Sequence, residues 1–283
     1  MQDNETIYTP AKLNLFLKIT EKRDDGYHNI RSGITFINLF DVIEIKRSAK
    51  MKITYHGPYR PENGFYSNCI IQKTLNFLDL KPRINLEINI KKNIPVQAGL
   101  GSASTNAAGF IQGLDKMQLI KIQEISTYVS LGADIPSFLF ANNCLVRGIG
   151  DLVSKQYFPK YYFLLVKPSI NFSTKEMYKK ISTTNLKLTN VENENEINEE
   201  DTGNDFEKIL HNNFRVVQEI LDFLDNLNGT MFSRMTGSGS CCYAAFETKK
   251  LANEAQVNFQ SAYPELWTFV GENNTINNQS FLI

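Results

Sequence analysis

The segment Ile94–Ala108, IPVQAGLGSASTNAA, has the residue types of an anion cradle. Gly99 and Gly101 permit backbone conformations closed to other residues, and Ser102, Ser104 and Thr105 add hydroxyls beside them. Where such a loop enters a helix, successive backbone N–H groups and the helix N-terminus converge on negative charge, and phosphate is the usual guest. The loop is not a Walker A sequence, since no Gly-Lys-Ser/Thr follows. Nor is it a G-x-G-x-x-G fingerprint, since Ser104 stands three residues after Gly101. The competing reading is a tight strand-to-helix turn with a serine N-cap. A second Gly-rich loop, Met235–Ser240 (MTGSGS), precedes an apolar strand. It reads either as an ordinary connection or, through Gly237 and Gly239, as a second loop facing the same anionic ligand.

Three further clusters could do chemistry. In Leu131–Pro136 (LGADIP), Asp134 sits between a helix end marked by Gly132 and a helix start marked by Pro136. It is either an N-cap carboxylate or a base that accepts a proton from an attacking alcohol. In Pro10–Asn14 (PAKLN), Lys12 opens an alternating strand on the same side as Asn14. On position alone it reads as a solvent-facing lysine. In Asp25–His28 (DGYH), a turn delivers Tyr27, which could stack on a planar base, and His28, which could bond to its edge. An exposed turn is the alternative.

These clusters need strands and helices to hold them. Ala11–Thr20 alternates Leu13, Leu15, Leu17 and Ile19 against Lys12, Asn14 and Lys18, a period-2 strand pattern. Asn29–Ile45 and Arg83–Ile90 also read as strands. Helical spacing predicts helices over Ser67–Leu78, Ser104–Leu114 and Ile122–Ser130, with another starting at Ile135–Phe140. Beyond an exposed-looking stretch ending near Pro159, Tyr162–Val166 reads as a strand, Phe206–Leu227 as one amphipathic helix, and Cys241–Phe246 as a strand. Leu251–Ala262 reads as a helix and Thr268–Val270 as a last strand. This second half suits helices packed on an antiparallel sheet. Residues 189–207 hold eight acids and no Lys or Arg, and read as a solvated insertion or an acidic interaction segment.

Composition excludes several classes. Thirty basic residues balance thirty acidic ones, which argues against a nucleic-acid partner. The longest apolar runs are short against the ~20 residues of a spanning helix, so no membrane partner is expected. The start, MQDNETIYTPAK, lacks a basic-then-apolar pattern, and Cys69, Cys144, Cys241 and Cys242 form no C-x-x-C pair. A cytoplasmic chain with free thiols is expected. Three scattered histidines and no H-E-x-x-H argue against a zinc enzyme.

Taken in order, PAKLN, DGYH, P-x-x-x-G-L-G-S-x-S, LGADIP and the late T-G-S-G-S resemble the motif series of the GHMP small-molecule kinases. The combination PAKLN, DGYH and LGADIP, with NDFE at 204–207, resembles the branch that acts on a cytidylated methylerythritol in the non-mevalonate isoprenoid pathway. Five motifs in order, from Pro10 to Ser240, are far more specific than any one of them. The resemblance favours the chemical readings of Lys12 and Asp134. It implies an α+β, two-lobed fold with a ribosomal-protein-like N-terminal lobe (1–159), a ferredoxin-like C-terminal lobe (160–283) and an active site in the cleft between them.

The implied reaction moves the γ-phosphoryl of ATP to the 2-hydroxyl of the methylerythritol moiety, with Mg2+ held mostly by phosphates and water. The resemblance makes Asp134 the base and Lys12 the cation that keeps it ionised. It assigns the triphosphate to Pro95, Val96, Gln97, Ala98, Gly99, Leu100, Gly101, Ser102, Ala103, Ser104 and Thr105, and a place near the adenine to Asn68. The cytidine end falls to Asn14, Tyr27, His28, Thr174 and Tyr178, and Gly237 and Gly239 are expected to bind substrate as well. The expected partner is the small cytidylated substrate, bound by a monomer or homodimer. Gln97, Ala98, Ser102 and Ala103 stand where relatives commonly have glycine, which predicts a stiffer loop. Competing readings are a superfamily kinase for mevalonate-like acids, homoserine or sugars, and an RNA-binding module without catalysis.

Overall fold

The computed structural model describes residues 3–61, 69–81, 84–183, 202–210 and 214–273. Two long strands, β1 (Asn4–Lys22) and β2 (His28–Arg47), form an antiparallel hairpin along almost their whole length. The turn between them closes through Arg23 N–H to the Tyr27 carbonyl at 2.9 Å. The other edge of β2 is shared. Its C-terminal half pairs with β4 (Leu86–Lys91) and its N-terminal half with β5 (Cys144–Gly148). β3 (Lys52–His56) runs parallel to β4 after a crossover through α1 (Ile70–Phe77), and β6 (Leu152–Lys155) pairs with β5. The helices α2 (Ser102–Lys116) and α3 (Ile135–Phe140) pack with α1 against this six-stranded sheet.

The remaining strands, β7 (Tyr162–Lys167), β8 (Phe232–Met235), β9 (Cys242–Phe246) and β10 (Trp267–Glu272), make an antiparallel sheet in the order β10-β7-β9-β8. Period-2 alternation explains how it packs. Cys242, Ala244 and Phe246 join one core with α4 (Thr174–Thr183), α6 (Arg215–Asp225) and α7 (Lys249–Ala262). Tyr243 and Ala245 of the same strand join a second core with Ala11, Leu13 and Ile37 of the first sheet. Apolar on both faces, β9 is buried between the helices and the other sheet. The molecule is thus four layers, helices–sheet–sheet–helices, which bears out the α+β reading.

Several expectations need correction. The helix expected over Phe206–Leu227 is interrupted: α5 (Glu207–Leu210) and α6 are separate, and 211–213 lie outside the described residues. The helix expected over Ile122–Ser130 is a 3-10 turn over Ile125–Ser130, and the exposed-looking stretch before Pro159 begins with β6. The strands β3 and β8 and the helix α4 carry too weak a periodicity to read from sequence. Most of the acidic stretch, 189–201, lies outside the described residues.

Candidate active site

β1 has one paired edge and one open edge, and the open edge builds the site. An unpaired edge presents N–H groups that must find partners. Lys12 N–H bonds the Leu100 carbonyl at 3.0 Å and Leu17 N–H the Gly203 carbonyl at 3.0 Å. Asn14 N–H bonds Thr236 Oγ1 at 3.1 Å and Ile19 N–H bonds Asp205 Oδ2 at 2.8 Å. So one strand gathers the first Gly-rich loop, the second Gly-rich loop and the NDFE segment. Register shifts at Pro10/Ala11 and Asn14/Phe16 flank Lys12 and Asn14, the kind of bulge that re-aims side chains.

Lys12 is 2% exposed, which rules out the solvent-facing reading. Its Nζ donates to Asn14 Oδ1 at 2.5 Å and lies 3.9 Å from Asp134 Oδ2. Burial pushes the ammonium's pKa down, and the nearby Asp134 charge partly opposes this. Asp134 precedes α3, but its side chain makes no capping hydrogen bond. The carboxylate is 37% exposed and faces the cleft. The N-cap reading therefore does not account for its side chain.

The first Gly-rich loop runs into α2, as expected. Gly101 occupies the left-handed region at φ 74°. A Cβ at Gly99 would lie 2.0 Å from the Thr236 carbonyl, so the two Gly-rich loops meet backbone to backbone. Gln97 is itself left-handed at φ 51°. Pro95 to Ser104 all line the cleft, although Ala98 and Leu100 turn their side chains into the core between the sheets. Thr105 is the exception. It is buried and faces a small hollow beside Tyr8, Thr9 and Phe138 instead of the cleft.

Sequence reasoning missed Lys92. It lines the cleft at 5% exposure, and its Nζ is bound to Asp41 Oδ2, to Ser102 Oγ at 2.6 Å and to Asn106 Oδ1 at 2.6 Å. Burial lowers its pKa, and Asp41 opposes the shift. The network ties β2 to the first turn of α2. No motif flags it, because its members are spread from 41 to 106.

The cleft measures about 910 Å3. At one end Tyr178, on α4, stacks on His28 with ring centroids 5.3 Å apart and planes at 24°. Burial holds the His28 pKa below its usual value. Thr174 at the start of α4 shares a 2.8 Å hydrogen bond with Ser238, and both line the cleft with Asn14 and Gly237. Three more expected residues do not line the cleft, and His28 is one: buried, it meets Tyr178 rather than the cleft itself. Tyr27 is 61% exposed and does not line the cleft. Gly239 abuts Met235 and Phe172. Asn68 lies outside the described residues.

Family models match both parts of the chain: "GHMP kinases N terminal domain" over residues 68–142 and "GHMP kinases C terminal" over 185–265. The chain is 35% identical over 243 residues to the 4-diphosphocytidyl-2-C-methyl-D-erythritol kinase of Francisella philomiragia, covering 82% of this chain and 84% of the relative. It is 32% identical over 251 residues to the enzyme of the same name from Neisseria meningitidis serogroup B, covering 86% of each. The chain belongs to the 4-diphosphocytidyl-2-C-methyl-D-erythritol kinase family. A crystal structure of 4-(cytidine 5'-diphospho)-2C-methyl-D-erythritol kinase shares the fold, with TM-score 0.75 and 21% identity over 95% of this chain and 100% of that one. Membership makes the protein a small-molecule kinase. Among the described residues, no helix is long and apolar enough to cross a membrane.

Proposed function

We propose that the chain transfers the γ-phosphoryl group of ATP to the 2-hydroxyl of 4-diphosphocytidyl-2-C-methyl-D-erythritol. The observation that carries this reading is the open ion pair, Lys12 Nζ 3.9 Å from Asp134 Oδ2, beside two converging Gly-rich loops. Phosphoryl transfer asks for positioning and charge stabilisation more than covalent chemistry. Asp134 Oδ2 accepts the hydroxyl proton. The Lys12 ammonium offsets charge on the transferring group, and Asn14 holds it in place. Backbone N–H groups from Gly99 to Ser104, with the α2 N-terminus, receive the triphosphate.

The lining fits an anionic nucleotide. Among the described residues Lys12 and Arg60 face the cleft with one lining carboxylate, Asp134, while the charge of Lys92 is met by buried Asp41. Mg2+, when bound, neutralises phosphate charge. No cluster of three or more His, Cys, Asp or Glu suited to a metal occurs among the described residues. One cleft carboxylate among the described residues fits an ion held chiefly by phosphates and water. The cytidine end belongs to His28, Tyr178 and Thr174, with the apolar faces and polar edges a base requires. We take residues 1–159 and 160–283 as the two lobes, acting in the cytoplasm as a monomer or homodimer with no nucleic-acid partner.

ADP release tests the reading. The parent should turn over the cytidylated methylerythritol and leave mevalonate and homoserine untouched, and Lys12→Met should lose that turnover. Turnover of mevalonate instead would overturn the substrate assignment. An active Lys12→Met enzyme would overturn the role of the lysine.

A further inference from the structure

The NDFE segment has no part in the chemistry above, yet its first three residues are buried. Asn204 Nδ2 donates to two carbonyls of the second Gly-rich loop, Met235 O at 2.7 Å and Gly237 O at 2.8 Å. Its Oδ1 accepts from Phe206 N–H at 3.0 Å. Glu207 Oε1 accepts from Met235 N–H at 2.6 Å, so the loop is gripped from two sides. The segment is in turn anchored on the open edge of β1. Asp205 N–H bonds the Leu17 carbonyl at 2.9 Å, and Asp205 Oδ2 accepts from Ile19 N–H at 2.8 Å.

The held loop is the part of the cleft wall that presses on the lysine. A Cβ at Gly237 would lie 2.9 Å from Lys12 Nζ, and the adjacent Thr236 Oγ1 accepts from Asn14 N–H. Gly237 and Gly239, both left-handed, have no side chains with which to fix themselves, so their backbone must be fixed from outside. A primary amide is suited to this. Its NH2 offers two donors for two carbonyls, which neither Asp nor Ala supplies.

We propose that Asn204, with Glu207, is a positioning residue for phosphoryl transfer: it fixes loop 235–240 and so sets the backbone wall against Lys12. It touches no reacting atom. The inference rests on the roles given above to Lys12 and Asp134. It has a consequence that a merely structural role lacks. The wall keeps water from Lys12, and lost solvation is what lowers that ammonium's pKa. Loosening the wall returns water and raises it.

Asn204→Asp keeps the shape and Oδ1 but sets a carboxylate oxygen against two carbonyls. Its kcat should fall ~10- to 100-fold, the scale of a lost buried hydrogen-bond donor. KM for both substrates should stay near the parent's, and the alkaline limb of the kcat–pH profile should move to higher pH. Glu207→Ala loosens the same loop from the other side. It should show the same pattern to a smaller degree, and it carries the test if Asn204→Asp does not fold. Lys208→Met is the control. It removes the partly exposed 2.8 Å pair with Asp205 and should leave both kcat and the limb unchanged. Parent-like kcat in the loop-loosening variants overturns the proposal, whatever happens to Tm. So does a reduced kcat with the limb unmoved, since the loop would then not act through Lys12. An active Lys12→Met enzyme sinks the underlying assignment. A dead Lys12→Met beside a fully active Asn204→Asp sinks the positioning role alone.

Discussion

Lys12 and Lys92 line the same cleft and are buried alike, yet their surroundings differ in kind. Lys92 sits in a closed network. Asp41 is fully buried, and its oxygens also accept from Asn93 N–H at 2.6 Å, Ile94 N–H at 2.8 Å and Asn106 Nδ2 at 3.0 Å. Lys12 sits in an open one. Its carboxylate stands 3.9 Å away, more than a third exposed and unused in capping. A closed network holds a strand, a loop and a helix together. An open pair leaves room for a hydroxyl and a phosphoryl group to enter between its charges. Depth alone therefore does not separate the two lysines; the open approach to the partner carboxylate does.

Four experiments would break or sharpen this contrast. The largest effect is expected at the open pair. Asp134→Ala should lower kcat by ~10²–10⁴, the scale of a lost general base, with little change in thermal stability. Near-normal steady-state kcat would make the open pair structural. The closed pair should respond the other way. Lys92→Met leaves Asp41 without its buried cation and should cost about 3–5 kcal/mol in denaturant unfolding, while the folded fraction keeps a kcat far nearer the parent's than Asp134→Ala does. A Lys92→Met enzyme that unfolds like the parent but is inactive would reverse the comparison.

Glu207 extends the closed class, its partner being the Met235 backbone N–H. Burial outweighs that bond and pushes its pKa up to about 7. A raised carboxyl pKa means stability that is complete below the unfolded value near 4.5 and is lost as pH rises through about 7. Thermal melts between pH 4 and 8 should show this loss, about 3 kcal/mol at most. Glu207→Gln should flatten it, and a parent curve as flat as the variant's would contradict the burial argument. The smallest effect lies at the base end. Tyr178→Ala should raise KM for the cytidylated substrate about tenfold, on the scale of one aromatic stack, and leave KM for ATP unchanged. Tyr27→Ala, out on the exposed turn, should do less. The opposite order would restore Tyr27 to the site.

Much of this was legible in the residues. The strands β1 and β7 and the helices α2 and α3 follow from periodicity because each has a strong apolar face. The pairing of Lys12 with Asp134 came from motif order, since 122 residues separate them and no local pattern links them. Thr105, Tyr27, His28 and Gly239 share those motifs but do not line the cleft, because neighbours in sequence point to opposite faces of a helix, strand or turn. The single helix expected over Phe206–Leu227 failed at two points: Asn204 to Phe206 are held by the β1 edge and loop 235–240, so α5 starts only at Glu207, and Phe214 at φ −142° leaves the helical region before α6.

The sequence by itself determined the kinds of chemistry available: backbone cradles at two glycine loops, a lysine, a lone carboxylate and an aromatic–imidazole pair. Only the tertiary structure decided which of these meet, and in which state. Whether a lysine is closed or open, and whether a glycine bends a turn or makes room for another loop's carbonyl that a Cβ would crowd, depends on contacts between residues far apart in the chain. Residue type sets what a group can do. Solvent access and the distance to a partner, both properties of packing, set whether it does so.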